Sequence, residues 1–147
     1  MTDETLAVGD VVASGVLPID RDDLVRYAGA SGDFNPIHYR DDVATAVGLP
    51  GVLAHGMLTM GLAVQPVVAR FGGDRVLEYG VRFTRPVPVP LEGEVLLEVE
   101  AKVGLLDEEA GEARIDLVAK VAGQTVLGRA QVRVALHPRP AGDPRAR

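Results

Sequence analysis

Between residues 94 and 134 the chain alternates. Val95, Leu97, Val99, Ala101 and Val103 interleave with Glu94, Leu96, Glu98, Glu100 and Lys102. Ala113, Ile115, Leu117, Ala119 and Val121 interleave with more polar positions, and Val126, Gly128, Ala130, Val132 and Val134 repeat the pattern. A period of two puts every second side chain on one face, so each run predicts a strand with one buried face. The links 107–111 and 122–124 are short and contain glycine, which suits hairpins and therefore antiparallel neighbours. Residues 75–85 predict an earlier strand and residues 11–17 a short first one.

Between the first two strands the period lengthens. Asp20 precedes RDDLVRYAGA and can cap a helix whose first turn carries Asp22 and Asp23, as the helix dipole favours. Leu24, Val25, Tyr27 and Ala28 form its apolar stripe, and Ser31-Gly32 ends it. The next segment, DFNPIHYR, contains Asn35-Pro36, which disfavours helix at Asn35 and predicts a loop. A short helix follows over 41–47 and stops at Gly48. Residues 56–71 are apolar on nearly every face, so a helix there must be wrapped by the rest of the molecule. Pro66 kinks it or ends a segment. Met57 and Met60, at helical spacing, read as core rather than as a cofactor box. The order strand, helices, then four strands predicts an α+β fold, with the concave face of the sheet as the cover for the apolar helix.

Composition narrows the function. The chain has 147 residues, 47% of them hydrophobic, which fits one domain over 1–137. Residues 138–147, PRPAGDPRAR, read as a disordered, solubilising tail. Cysteine is absent, which excludes a disulfide framework, a thiolate metal site and a cysteine nucleophile. A net charge of −6, 4% aromatic residues and no tryptophan argue against a nucleic-acid surface. The N-terminus lacks a basic region followed by an apolar one, and the 56–71 stretch is short for a membrane span of ~20 residues, so the expected location is cytoplasmic.

The candidate chemistry lies in 27–38, YAGASGDFNPIH. Asp33 and His38 are five residues apart, and a loop turned by Asn35-Pro36 can bring them together as an acid/base pair. Each also has a plain reading: His38 as a loop histidine bonded to backbone, Asp33 as a cap or Asx turn, Asn35 as a turn residue that braces the loop. Ser31 lies too close in sequence for a serine triad with Asp33 and His38 and reads as a local hydrogen-bonding residue. Gly56 begins the apolar helix. The unpartnered N–H groups there could hold a carbonyl oxygen that becomes an enolate, although simple helix initiation explains Gly56 equally. His55 reads as ordering the helix start, and His137 as solvated beside the tail. A metal site from Asp33, Asn35 and His38 has no second histidine at ligand spacing, so no metal is expected. Together the elements suggest proton transfer beside a carbonyl, with loss or addition of water.

The segment SGDFNPIH, together with AHGM at 54–57 and VRFTRPV at 81–87, resembles the MaoC-like dehydratases, which include R-specific enoyl-CoA hydratases. The similarity spans residues 8–136. GMLTMG at 56–61 and VPVP at 87–90 are most like the catalytic B-type subunits of mycobacterial hydroxyacyl-ACP dehydratases. The resemblance implies a single hotdog fold, a curved antiparallel sheet around one long helix. It implies reversible dehydration of R-3-hydroxyacyl thioesters to trans-2-enoyl thioesters, with Asp33 and His38 catalytic, Gly56 at the oxyanion site, and Asn35 and Ser31 supporting. No cofactor is implied; CoA or ACP only carries the substrate. The implied assembly is a homodimer, or a heterodimer with a hotdog subunit that lacks the pair. Two other readings stay open: an acyl thioesterase, which lacks a helix acid here, and a non-catalytic acyl-thioester-binding subunit. Arg82 and Arg85 are expected to form a basic patch for an acidic carrier.

Overall fold

The alternating segments form β3 (Val95–Asp107), β4 (Glu112–Val121) and β5 (Gln124–Ala135), joined as antiparallel hairpins, in a computed structural model that describes residues 5–138. The expected tail lies outside the described residues except for Pro138. β1 (Val11–Ile19) pairs with β3, and β2 (Val76–Phe83) pairs with β5, so the sheet order is β1-β3-β4-β5-β2. The period of two sorts the faces: Leu97, Val99, Ala101 and Val103 are buried while Glu98, Glu100 and Lys102 are exposed.

Between β1 and β2 come four helices, α1 (Arg21–Ser31), α2 (Asp41–Ala46), α3 (Gly56–Ala63) and α4 (Gln65–Phe71). α1 starts in a capping box. Asp20 accepts from the Asp23 N–H (2.9 Å), and the Asp23 carboxylate accepts from the Asp20 N–H (3.1 Å). It ends at Gly32, whose φ of 76° suits glycine.

The long apolar helix is two segments rather than one. Pro66 lies in the first turn of α4 and has no N–H to donate. The Gln65 side chain donates to the Gly61 carbonyl (2.9 Å). Thr59, Ala63, Val67 and Phe71, four residues apart, form the buried stripe toward the sheet. Met57 lies off that stripe and is 58% exposed, which corrects its assignment to the core. The wrapping is therefore one-sided, and Leu58, Leu62 and Val64 are only partly buried. Among the described residues, no helix is long and apolar enough to cross a membrane.

Because β2 and β3 are not neighbours, the link 84–94 must traverse the sheet, and it builds the frame of the site. Ala54 N–H donates to Val87 O and Val89 N–H to Val52 O, both at 2.9 Å. Arg21 donates to the Val89 and Pro90 carbonyls and holds both oxygens of Asp41 (3.0 and 3.1 Å). Asp41 in turn accepts from Val52 N–H (3.2 Å). Segment 52–54 is thus gripped from two sides.

The β4–β5 link closes Val121 onto Gln124 through two residues, Ala122 (φ 49°) and Gly123 (φ 74°). Two positive φ values match a type I′ turn, which favours Asn-Gly. Ala122→Asn is expected to raise stability by roughly 0.5–1 kcal/mol, since a left-handed alanine costs about that much or more. The check is the urea midpoint at constant slope; an unchanged or lower midpoint contradicts this account of the turn.

Candidate active site

The loop after α1 is shaped by short hydrogen bonds that follow from its residue types. Ser31 Oγ donates to Tyr27 O (2.7 Å) and accepts from Asp33 N–H (3.2 Å). Asp33 Oδ1 accepts from Asn35 N–H, and Asn35 Oδ1 from Ile37 N–H, both at 3.2 Å. These Asx turns lead into a single 3₁₀ turn, Pro36–His38, with proline at its start. Asn35 therefore braces the loop through its own carbonyl oxygen, and Ser31 does so through its hydroxyl.

The loop is joined to segment 52–54 by a reciprocal pair of bonds. Leu53 N–H donates to Ile37 O (3.1 Å), and His38 Nδ1 lies 2.7 Å from Leu53 O. A carbonyl oxygen can only accept, so Nδ1 carries the hydrogen and Nε2 of neutral His38 is a free lone pair. That Nε2 faces Asp33 Oδ2 at 3.9 Å. The separation is too long for a direct hydrogen bond, yet one oxygen about 2.8 Å from each atom fits between them. Asp33 is half exposed, while the His38 side chain retains 11% exposure.

His38 opens into a pocket of about 320 Å³ whose wall includes Leu53, Gly56, Thr59, Phe83, Arg85 and Val87. α3 begins there at Gly56, and no side chain caps it, which leaves its first N–H groups for a ligand. A Cβ at residue 56 would lie 3.1 Å from the Phe83 ring, so glycine lets the aromatic wall and the helix start approach closely.

Arg85 lines this pocket, with Nη1 3.3 Å from Gln124 Oε1. Arg82 does not. It precedes Phe83 in β2, and successive strand side chains point to opposite faces. Of the two arginines expected to form a patch, only Arg85 is at this pocket.

His55 departs most from expectation. It is 1% exposed and makes no side-chain cap on α3. Its ring stacks on His38 with centroids 3.9 Å apart and planes 22° apart, and Tyr27 packs against it at 4.9 Å. Its Nε2 lies 3.1 Å from the Asp33 carbonyl oxygen. A second histidine is thus present after all, and donor atoms of Asp33, His38 and His55 lie within 4.8 Å of one another. Near-parallel rings, however, aim their in-plane lone pairs along separate planes, and a metal at ~2.0–2.1 Å from each nitrogen needs them to converge. The arrangement suits a stack better than a ligand set.

A family model described as MaoC like domain matches residues 6–121. The chain belongs to the MaoC-like family. It is 40% identical over 77 residues to "3-hydroxyacyl-thioester dehydratase X" of Mycobacterium tuberculosis, covering 52% of this chain and 27% of that protein. It is 31% identical over 117 residues to "3-hydroxybutyryl-CoA dehydratase" of Methylorubrum extorquens, covering 79% and 73%. A solved "MaoC-like dehydratase" superposes with a TM-score of 0.86 at 36% identity, over 92% of this chain and 42% of that one. The single antiparallel sheet with its short helices is the hotdog fold of these MaoC-like neighbours. The match spans about a quarter of the length of dehydratase X.

Sequence reasoning missed three participants of this MaoC-like site. Leu53 acts through a backbone carbonyl, which no side-chain pattern marks. Phe83 sits in a wall that forms only because the sheet order brings β2 beside β5. His55 did carry a signal, as one of three histidines next to the helix-initiating glycine, but its partners come from 17 and 22 residues earlier, as the numbering of His38 and Asp33 shows.

Burial pushes the His55 pKa below its ordinary value of 6.5, and a positive charge on His38 pushes it the same way; the bond to the Asp33 carbonyl and the Asp33 charge oppose this. With the folded value depressed, the unfolded chain binds more protons below about pH 6.5. The contribution of His55 to stability is therefore complete above that pH and lost as pH falls through the lower folded value. Thermal midpoints measured from about pH 7.5 to pH 5.5 are expected to fall more steeply for the wild type than for His55→Gln. Equal slopes contradict a neutral, buried His55.

Proposed function

We propose that this MaoC-like chain catalyses the reversible dehydration of R-3-hydroxyacyl thioesters to trans-2-enoyl thioesters, with Asp33 and His38 as the acid/base pair. The observation that carries the reading is the 3.9 Å gap between His38 Nε2 and Asp33 Oδ2, with His38 also lining the pocket at which the uncapped α3 begins. Similarity to 3-hydroxyacyl-thioester and 3-hydroxybutyryl-CoA dehydratases supports the reaction class.

In the hydration direction a water sits in that gap and touches both atoms. The pair withdraws a proton as the water oxygen bonds to Cβ of the enoyl thioester. The electron pair of the double bond moves toward the thioester carbonyl, whose oxygen gains charge opposite the Gly56 N–H. Cα then receives one proton from the same side. One water is consumed, and the protein ends in its starting protonation state. Dehydration is the reverse. Asn35 and Ser31 hold the loop and do not touch the reacting atoms. The Nδ1–H bond to Leu53 keeps Nε2 of neutral His38 unprotonated and therefore able to act as a base.

The thioester is carried by CoA or ACP. The active assembly is a homodimer or a pair with a second hotdog subunit, and activity of the chain alone against activity with a candidate partner decides between them. The test is loss of enoyl-thioester absorbance when the purified chain is mixed with a short trans-2-enoyl-CoA, with free thiol assayed in parallel. Hydration without thiol release supports the reading; thiol release moves the chain to the thioesterases. Asp33→Asn and His38→Ala are each expected to retain the circular dichroism spectrum and lose turnover by at least ~10²-fold. Near-wild-type turnover in either variant removes that residue from the mechanism.

A further inference from the structure

The catalytic reading leaves one buried, titratable side chain without a task. His55 is 1% exposed, its Nδ1 has no hydrogen-bond partner, and its ring touches both Tyr27 of α1 and His38 of the loop. A core filler at this position would need no nitrogen. An aliphatic residue would avoid the cost of burying an unpaired polar atom.

The hydrogen inventory is fixed by geometry. Nε2 lies 3.1 Å from the Asp33 carbonyl oxygen, which can only accept, so Nε2 carries the hydrogen. Nδ1 then holds a lone pair. Protonating it would create an unpartnered cation in a closed space, stacked on a second imidazole and beside the Tyr27 ring. The groups facing His55 are Tyr27, His38 and Asp33, and Asp33 reaches it through its main chain.

We propose that His55 is the positioning residue of this site, a neutral imidazole that anchors the Asp33 main chain through Nε2–H and sets the plane of the His38 ring by stacking. The inference rests on the assignment of Asp33 and His38 as the acid/base pair. His38 has one hydrogen bond of its own, from Nδ1 to Leu53 O, and a single bond leaves the ring free to swing about that contact. A flat partner 3.9 Å away removes that freedom and aims Nε2 at Asp33 Oδ2. The same ring pins the backbone of Asp33, so both members of the pair are referenced to one rigid group. Because His55 stays neutral, only His38 of the two stacked rings changes charge during turnover.

Two substitutions divide the roles. His55→Gln offers an N–H near the Nε2 position but no ring. His55→Phe offers a ring but no donor. With the full-length chain and a short trans-2-enoyl-CoA, both are expected to lower kcat by about tenfold or more while KM changes less than about threefold. In a His38→Ala background, adding His55→Gln is expected to change the residual rate less than about twofold, because the residue acts through His38. Nitrogen-15 NMR of the imidazoles supplies a readout independent of activity, and its wild-type arm is independent of variant folding. Wild-type His55 is expected to be neutral with its hydrogen on Nε2 at pH 6–7, about its ordinary pKa. His38 is expected to keep its hydrogen on Nδ1, where Leu53 O holds it, and in His55→Gln its ring is expected to gain mobility, read as broadened nitrogen-15 signals.

Wild-type kcat in both variants overturns the proposal. So does an equal loss in the His38→Ala background, or a His55 that is protonated at pH 6–7 or bears hydrogen on Nδ1. If the chain hydrates no enoyl thioester, the NMR readout decides: a His38 ring whose mobility rises in His55→Gln upholds the positioning role and places the failure in the catalytic assignment, and an unchanged His38 ring overturns the positioning role.

Discussion

The hydrogen bond from His38 Nδ1 to the Leu53 carbonyl, 2.7 Å long, is the contact on which the site depends. It fixes which nitrogen of His38 is free, and it ties the loop after α1 to segment 52–54. That segment is fixed by the link 84–94 through Ala54–Val87 and Val89–Val52 bonds. The link runs there because the sheet order sends the chain from one edge strand, β2, across to β3. A tautomer at the site is thus set by the topology of the whole sheet. Arg21 and Asp41 add a second hold on the same segment, and the guanidinium keeps the Asp41 carboxyl below its ordinary pKa.

The site is graded from wet to dry. Asp33 faces solvent, His38 is mostly covered, and His55 is closed off. The gradient suits a reaction in which water is a reactant. The open end admits it, and the charge changes occur on groups that solvent or a partner can stabilise. The closed end supplies rigidity, and burial there disfavours a second cation. The uncapped start of α3 completes the arrangement, because its N–H groups are fixed dipoles that need no rearrangement as charge develops on a carbonyl oxygen.

Much of this was legible in the residues. Alternation in 94–134 marked the strands and their hairpins, and Asp20 with Asp23 marked the start of α1. The run SGDFNPIH marked the loop that holds Asp33 and His38. What stayed hidden depends on tertiary arrangement. Periodicity says that Val95–Asp107 is a strand but not that β1 lies beside it and β2 at the far edge. Apolar composition over 56–71 suggested full wrapping. The sheet covers only the stripe through Thr59, Ala63, Val67 and Phe71, leaving Met57 outside. His55 looked like a helix-start residue because nothing local shows that Tyr27, Asp33 and His38 fold back onto it. Arg82 and Arg85 were expected to form one patch, yet only Arg85 lines the pocket.

The account stands or falls on one pair serving one face of the substrate. Hydration of trans-2-butenoyl-CoA in deuterium oxide, with the product resolved by NMR, tests this most directly. A single water held between Asp33 and His38 predicts deuterium at Cα added from the same face as the hydroxyl. Addition from opposite faces would contradict the arrangement described for Asp33 and His38.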